Sequence, residues 1–345
     1  MPDIRSIWKE ADLLRGCLAH LRQTESRRRY AADDEDPLAV NNPFVSDEAR
    51  ILSSKAFRVL RGKTQVFTFP NSALIRTRLA HTLEVVAVSV ITSELLGLNT
   101  NLVRAAAIGH DIGHVPLGHQ GEMWIVKAMG RPEFCHEVMA PIIAQKIERQ
   151  GRGLNLTHQT LEAMMRHSGD KATDTMSQEA LVLRYTDKIT YIFHDVNDIV
   201  ERMRYPVSDD LRASVNYFGN NQRERTSTAI AGLAVESAEC GRVCFQHSEL
   251  GQKFAHLRDL MYEVYVRVTQ QDVESIMRPV LDFLSMIKVG DPFLLLTLMT
   301  DKDVASLAAQ PMKDMQAFNH TAISEIVPHL QKIGKVDLCD PDLDW

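Results

Sequence analysis

The longest apolar runs in this 345-residue chain are broken by charged or polar groups well before the roughly 18 residues that a membrane-spanning helix needs, and no membrane partner is expected. The opening Met1-Pro2-Asp3-Ile4-Arg5 lacks the basic start and apolar stretch of a secretory signal. Cysteine is sparse, with five residues at 17, 135, 240, 244 and 339. No two of them form a CxxC pair, and the odd number argues against a disulfide framework. Reduced thiols in the cytoplasm are the expectation. Excess positive charge is also missing. A net charge of -6 argues against wholesale coating of nucleic acid, although a local basic groove stays compatible with it. Arg27-Arg28-Arg29 and Arg223-Glu224-Arg225 could form one, but Asp33, Asp34, Glu35 and Asp36 follow the first run closely and point to a solvated loop. Single-stranded DNA as a partner has no support in the sequence. No repeat period and no linker are evident, and 45% hydrophobic residues leave ample material for a core.

Strand signals are equally rare. Only Thr64 to Pro70 is β-branched and aromatic enough to predict a short strand. Elsewhere the periodicity is helical. One or two helices are expected within residues 3 to 30, then a polar loop from Asp33 to Pro43, with the helical body starting near Ser46. Ala73 to Leu96 follows, with Gly97 as its stop. Asn101 is expected to cap Leu102 to Ile108. Further helices are predicted from Gln120 to Met129, Thr157 to His167 and Glu179 to Met203, with a polar loop at Ser168 to Ser177. Asp209 to His329 reads as helix after helix, and Asp337 to Trp345 as an acidic tail.

The densest polar feature is His110-Asp111-Ile112-Gly113-His114-Val115-Pro116-Leu117-Gly118-His119-Gln120-Gly121-Glu122, whose His, Asp and Glu content is hard to explain as core packing. An imidazole and a carboxylate adjacent at a helix end can point at one divalent cation, with His81 and Asp187 arriving from other helices to close the shell. Mixed nitrogen and oxygen ligation of this kind suits Mn, Fe, Co, Ni, Zn or, less well, Mg. Arg78 and His81 share a helix face, three residues apart. Asp187, Tyr191, Asp195 and Asp198 form one stripe, which reads either as a solvated acidic face or, given Ile189, Ile192 and Phe193 around it, as a pocket wall. His158, His167, His247, His256, His320 and His329 read as surface or satisfied core groups, and Cys240 with Cys244 as packing.

Several separate segments carry a resemblance: Ala56-Phe57-Arg58 leading into Gly62-Lys63-Thr64-Gln65-Val66-Phe67, Arg76-Thr77-Arg78-Leu79-Ala80-His81, the His110 to Glu122 stretch, Gly153-Leu154-Asn155-Leu156-Thr157, and Thr186-Asp187-Lys188-Ile189-Thr190-Tyr191 with His194-Asp195. Over roughly residues 46 to 205 the chain resembles the HD-domain superfamily, and within it the dGTPase-type deoxynucleoside triphosphate triphosphohydrolases. The resemblance implies an all-α HD-domain helical bundle with additional C-terminal helices and at most a short β-hairpin. It implies a helical arm and loop at 1–45, the core at 46–205, a C-terminal helical region at 206–336 and the tail at 337–345.

It further implies a metal site from His81, His110, Asp111 and Asp187, a catalytic pair His119 and Glu122, phosphate contacts at Arg78 and Lys188, and deoxyribose contacts at Gln65, Tyr191 and Asp195. His114 and His136 are expected as nearby donors to the triphosphate. The chain departs from the family pattern in having Cys135 and Glu137 on either side of His136, and Leu117 in place of a usual Phe. The implied reaction is metal-dependent hydrolysis of deoxynucleoside triphosphates to deoxynucleoside and inorganic triphosphate, with His119, held by Glu122, moving the proton. A homo-oligomer with nucleotide effectors at its interfaces is implied as well. Two alternatives stand beside it, an HD phosphohydrolase acting on another nucleotide phosphoester such as a nucleoside monophosphate, and a nucleotide-binding regulatory module.

Overall fold

Side-chain caps set where the helices begin. In the computed structural model, which describes the chain apart from residues 1, 32–41, 68–73, 170–172, 174, 269–271, 310–318, 320, 325–329, 331–332 and 334, the helices follow one another without an intervening sheet. They are α1 (Ile4–Leu13), α2 (Pro43–Leu52), α3 (Lys55–Val59), α4 (Arg78–Leu96), α5 (Thr100–Gly109), α6 (Gly118–Met129), α7 (His136–Ile142) and α8 (His158–Arg166). There follow α9 (Gln178–Asn197), α10 (Asp209–Phe218), α11 (Gln222–Cys240), α12 (Glu249–Val268), α13 (Val273–Ile287), α14 (Pro292–Thr297) and α15 (Asp301–Ala308). The all-α expectation holds.

The caps also explain where the sequence reading placed boundaries wrongly. Asn42 accepts from the backbone N–H groups of Phe44 and Val45, with Pro43 in the first turn, a favourable start that needs no donor from proline. α2 therefore begins before Ser46, and Ser46 and Asp47 are buried within it. Thr77 caps α4, so this helix starts at Arg78 rather than Ala73. Asn99, not Asn101, caps α5. The expected strand at Thr64 to Pro70 is reduced, among the described residues, to one antiparallel bridge between Thr64 and Thr77. Residues 68–70 lie outside the described set, as do most of the loop at 33–43, part of 168–177, and His320 and His329. The long helix expected through Met203 ends at Asn197 and continues as a π-turn, Asp198–Arg202.

Two apolar cores flank a central seam. One joins α2, α6, α7 and α8 to α13, α14 and α15 through residues such as Ile51, Trp124, Met164, Met277 and Leu295. The other gathers α1, α9, α10, α11 and α12 around Phe193, Phe218 and Phe254. Between them Val85, Ala106, Ala107, Ala163, Ala180 and Leu183 form a small cluster. Alanines there let the axes of α4, α5, α8 and α9 approach closely, so polar side chains from the start of α4, the ends of α5 and α8 and the middle of α9 come together. By length and composition α4 is the one described helix that could cross a membrane, with mean hydropathy 1.5, yet half of that window is buried inside the protein.

The C-terminal helices hold the loop that leads into α6. Leu117 adopts a left-handed conformation at φ 63, which is unfavourable for a branched residue. Asp301, at the start of α15, accepts from the Leu117 N–H at 2.8 Å and from the Thr64 N–H at 2.8 Å. Lys63 Nζ donates to the His114 carbonyl and, at 2.8 Å, to that of Thr297. Asp301→Ala leaves two buried N–H groups without an acceptor, so a loss of about 2–4 kcal/mol is expected. Urea unfolding measures it, and Asp301→Asn, which keeps one acceptor oxygen, should lose less.

Candidate metal centre

Three helices bring the four expected ligands together. His81 stands on the first turn of α4, His110 and Asp111 at the end of α5, and Asp187 midway along α9. All four are buried. His81 Nε2 lies 3.0 Å from Asp187 Oδ1 and 3.9 Å from Asp111 Oδ2. His110 Nε2 lies 3.4 Å from Asp111 Oδ1 and 3.7 Å from Asp187 Oδ1. Donor atoms bonded to one ion at about 2.1 Å stand roughly 3.0 Å apart at right angles, about 3.4 Å apart in a tetrahedron and up to about 4.2 Å apart when opposite, so spacings of 3.0–3.9 Å are within reach of a shared cation.

The hydrogen bonding supports the same fit. His110 Nδ1 meets the Ala107 carbonyl at 2.7 Å, which assigns the proton to that nitrogen and leaves Nε2 as a lone-pair donor. His110 Nε2 is buried with no hydrogen-bond partner. A buried polar atom without a partner is costly, and a divalent ion would satisfy it. Burial pushes the Asp111 carboxyl up, but the charges of His110, Arg78, His114 and His81 outweigh it and hold the group well below the usual range. Asp187 is likewise opposed by burial, yet the hydrogen bond and charge of His81 bring it to about 2. Both carboxylates are therefore ionised, as ligands must be.

A second layer of imidazoles adjoins this set. His114 stacks on His136 with ring centroids 3.6 Å apart, and its Nε2 is 3.4 Å from Asp111 Oδ1. The cradle depends on Gly113, where a Cβ would fall 2.2 Å from the His136 carbonyl oxygen and 2.4 Å from the Ala140 nitrogen. Only glycine permits that approach.

The expected His119–Glu122 pair is present only at the limit of ion-pair distance, and Glu122 has nearer partners. His119 has a 75% exposed side chain, with Nδ1 4.0 Å from Glu122 Oε2. Glu122 instead accepts the His136 backbone N–H at 2.7 Å and lies 3.2 Å from His136 Nδ1. The reason is positional, because α7 starts at His136 and presents both donors to the buried carboxylate. Burial pushes His136 down, but Glu137 and Glu122 outweigh it and raise it to about 9. His136 is thus a cation at neutral pH, with only a small part of its ring exposed.

The remaining expected residues divide. Arg78 is buried, with Nη1 donating to Asp111 at 3.0 Å and Nη2 to the Gln65 carbonyl at 3.2 Å. Its Nε and the Gln65 side-chain Oε1 are buried without partners. Lys188 is half-buried, and burial together with Arg184 lowers it to about 8. The Tyr191 hydroxyl is 3.3 Å from that of Tyr262. Asp195 is fully engaged, pairing with Arg76 and accepting from the Tyr265 hydroxyl at 2.6 Å. The acidic stripe on α9 is accordingly buried rather than solvated, with Arg76 also reaching Asp198 at 3.2 Å.

His167, read from sequence as an ordinary surface or core group, belongs to the cluster. Its ring meets His110 edge-on at 4.9 Å and lies 5.4 Å from His136, and burial lowers it to about 4. The signal available was its place just past the end of α8, at the same seam as His110. Arg76, Tyr262 and Tyr265 were also missed. The two tyrosines come from α12, remote in sequence, where local spacing carries no trace of the contact.

The HD-domain family profile matches residues 78–192, the span from Arg78 to just beyond Tyr191. Deoxyguanosinetriphosphate triphosphohydrolase-like proteins align over a longer stretch: 31% identity in Desulfatibacillum aliphaticivorans, over 75% of this chain and 72% of that protein, and 32% in Caldanaerobacter subterraneus, over 76% of each. The chain belongs to this family. A further relative, from Clostridium tetani, is 35% identical over 61% of this chain, which spans 60% of that protein's length.

The titration of His136 gives a stability test. Because its folded value is raised from 6.5 to about 9, its contribution is fully present below about pH 6.5 and is lost as pH rises through about 9. Lys63, lowered by burial to about 7, and Lys188, lowered to about 8, act oppositely, since their penalties lift as pH rises. The readout is therefore the difference between wild type and His136→Gln. Denaturation midpoints measured from pH 6 to pH 10 should show this difference shrinking with rising pH, and a constant difference would contradict a cationic His136.

Proposed function

We propose that the protein is a metal-dependent phosphohydrolase acting on nucleotides, and more finely that it cleaves deoxynucleoside triphosphates to deoxynucleoside and inorganic triphosphate. The observation that carries the reading is the convergence of His81, His110, Asp111 and Asp187 beside the cationic His136. The names of the relatives supply the substrate class.

A divalent ion held by the four ligands would act as a Lewis acid and lower the pKa of a water molecule. Arg78, already fixed by Asp111, has Nε to offer a phosphate oxygen, and His136 and Lys188, the neighbour of Asp187 in the chain, are assigned the remaining positive charge for the phosphates. His114, stacked on His136, is a further donor through its unpartnered Nδ1. His119, with its side chain exposed to solvent, is assigned the proton delivered to the departing 5′-oxygen. Glu122 acts chiefly on His136, holding its ring and its charge. With both Asp195 oxygens engaged, the sugar hydroxyl falls to Gln65 Oε1, and Tyr191 packs against the ring.

Incubation with each deoxynucleoside triphosphate and Mn or Mg, with products resolved by ion exchange, tests the proposal. Intact triphosphate is the expected product, and His110→Ala should abolish its release. Orthophosphate or pyrophosphate would place the cut at another bond, and no turnover with any single or mixed substrate would favour a regulatory module. His119→Ala should lower turnover by about 100-fold or more while metal binding persists. Unchanged turnover would remove His119 from the proton path.

A further inference from the structure

The other feature with chemistry of its own lies at the end of α11. Cys240 is the last residue of that helix and is exposed, Gly241 turns the chain in the left-handed region at φ 66, and Cys244 returns buried, 2% exposed. The two sulfurs and a Glu236 carboxylate oxygen lie within 4.8 Å of one another. The turn that brings them together is firmly built. Ser237 Oγ accepts the Cys244 N–H at 3.1 Å and donates to the Cys244 carbonyl at 3.3 Å. The Val243 N–H donates to Gln178 Oε1 at 2.7 Å.

A metal site is the first thought for two thiols and a carboxylate, but Glu236 is already committed. Its Oε1 accepts the N–H groups of Gln246 at 2.6 Å and His247 at 2.7 Å. Its Oε2 accepts the Ser248 N–H at 3.1 Å and the Ser248 hydroxyl. What remains is a pair of adjacent thiols, one facing solvent and one shielded.

We propose that Cys240 and Cys244 form a reversible intramolecular disulfide. The exposed Cys240 thiolate attacks a low-molecular-weight disulfide such as oxidised glutathione, making a mixed disulfide and expelling one glutathione thiolate. Cys244 then loses its proton and attacks the Cys240 sulfur, expelling the second glutathione, which takes up that proton. Two thiols are oxidised and one disulfide is reduced, so atoms and electrons balance. Closure requires the sulfurs to reach about 2.05 Å, a movement open to the solvent-facing Cys240 side chain. The ring is short, so the bond constrains the unfolded chain only modestly and is readily reduced. The locked turn runs through Ser248 into α12, which carries Tyr262 and Tyr265 to the candidate site.

The test uses the folded full-length chain, incubated with oxidised glutathione, quenched in acid, alkylated and digested with trypsin. Trypsin cleaves after Arg242, between the two cysteines, so their peptides separate when the thiols are free and stay joined when they are bonded. The expected result is loss of two of the five thiols, with the peptide ending at Arg242 linked to the one starting at Val243 until reductant is added. Cys244→Ser should stop at a glutathione adduct on Cys240. Retention of all five thiols, a persistent adduct on Cys240 in the wild type, or linkage to Cys17, Cys135 or Cys339 would each overturn the proposal.

Discussion

Burying two ionised carboxylates in the interior of a helical protein is the constraint around which the rest of this molecule is arranged. An isolated buried charge is strongly disfavoured, and it persists only when opposite charge and hydrogen bonds surround it. Asp111 and Asp187 are answered by His81, His110, Arg78 and His114. The compensation is incomplete within the protein, because His110 Nε2, which faces both carboxylates, has no hydrogen-bond partner. A centre that joins two carboxylates to an unshared imidazole lone pair is one that a divalent cation completes.

Geometry of this kind needs helices that approach closely and loops that do not yield. The alanine seam between α4, α5, α8 and α9 supplies the first. Asp301, at the start of α15, and Lys63, which ties the His114 carbonyl to that of Thr297, supply the second, and both lie outside the matched HD-domain span. The C-terminal helices are in this sense part of the site, although none of their side chains is a ligand. The same applies to α12, whose Tyr265 shares Asp195 with Arg76 and so removes that carboxylate from the list of free acceptors.

Much of this was legible in the sequence. The four expected ligands, which the fold brings together, and Arg78 stand on strongly periodic or motif-bearing segments, where one residue fixes the direction of its neighbours. Helix starts were misplaced where two capping residues competed, as at Asn42 against Ser46 and Asn99 against Asn101, because a cap is decided by which side chain reaches the first free N–H groups. The nearer partner of Glu122 left no trace for a different reason. His119 is the local choice at three residues' distance, but His136 offers a backbone and a ring donor from the start of α7, and contacts between separate helices leave no spacing signal. His167 and the α12 tyrosines were hidden in the same way.

The central claim is that His81, His110, Asp111 and Asp187 hold one metal ion. Crystals grown with Mn and measured for anomalous scattering above and below its absorption edge test it most directly. The account predicts a single strong peak within bonding distance of all four side chains. A peak seated instead on His114, Glu122 and His136, or none at all in this cluster, would contradict it.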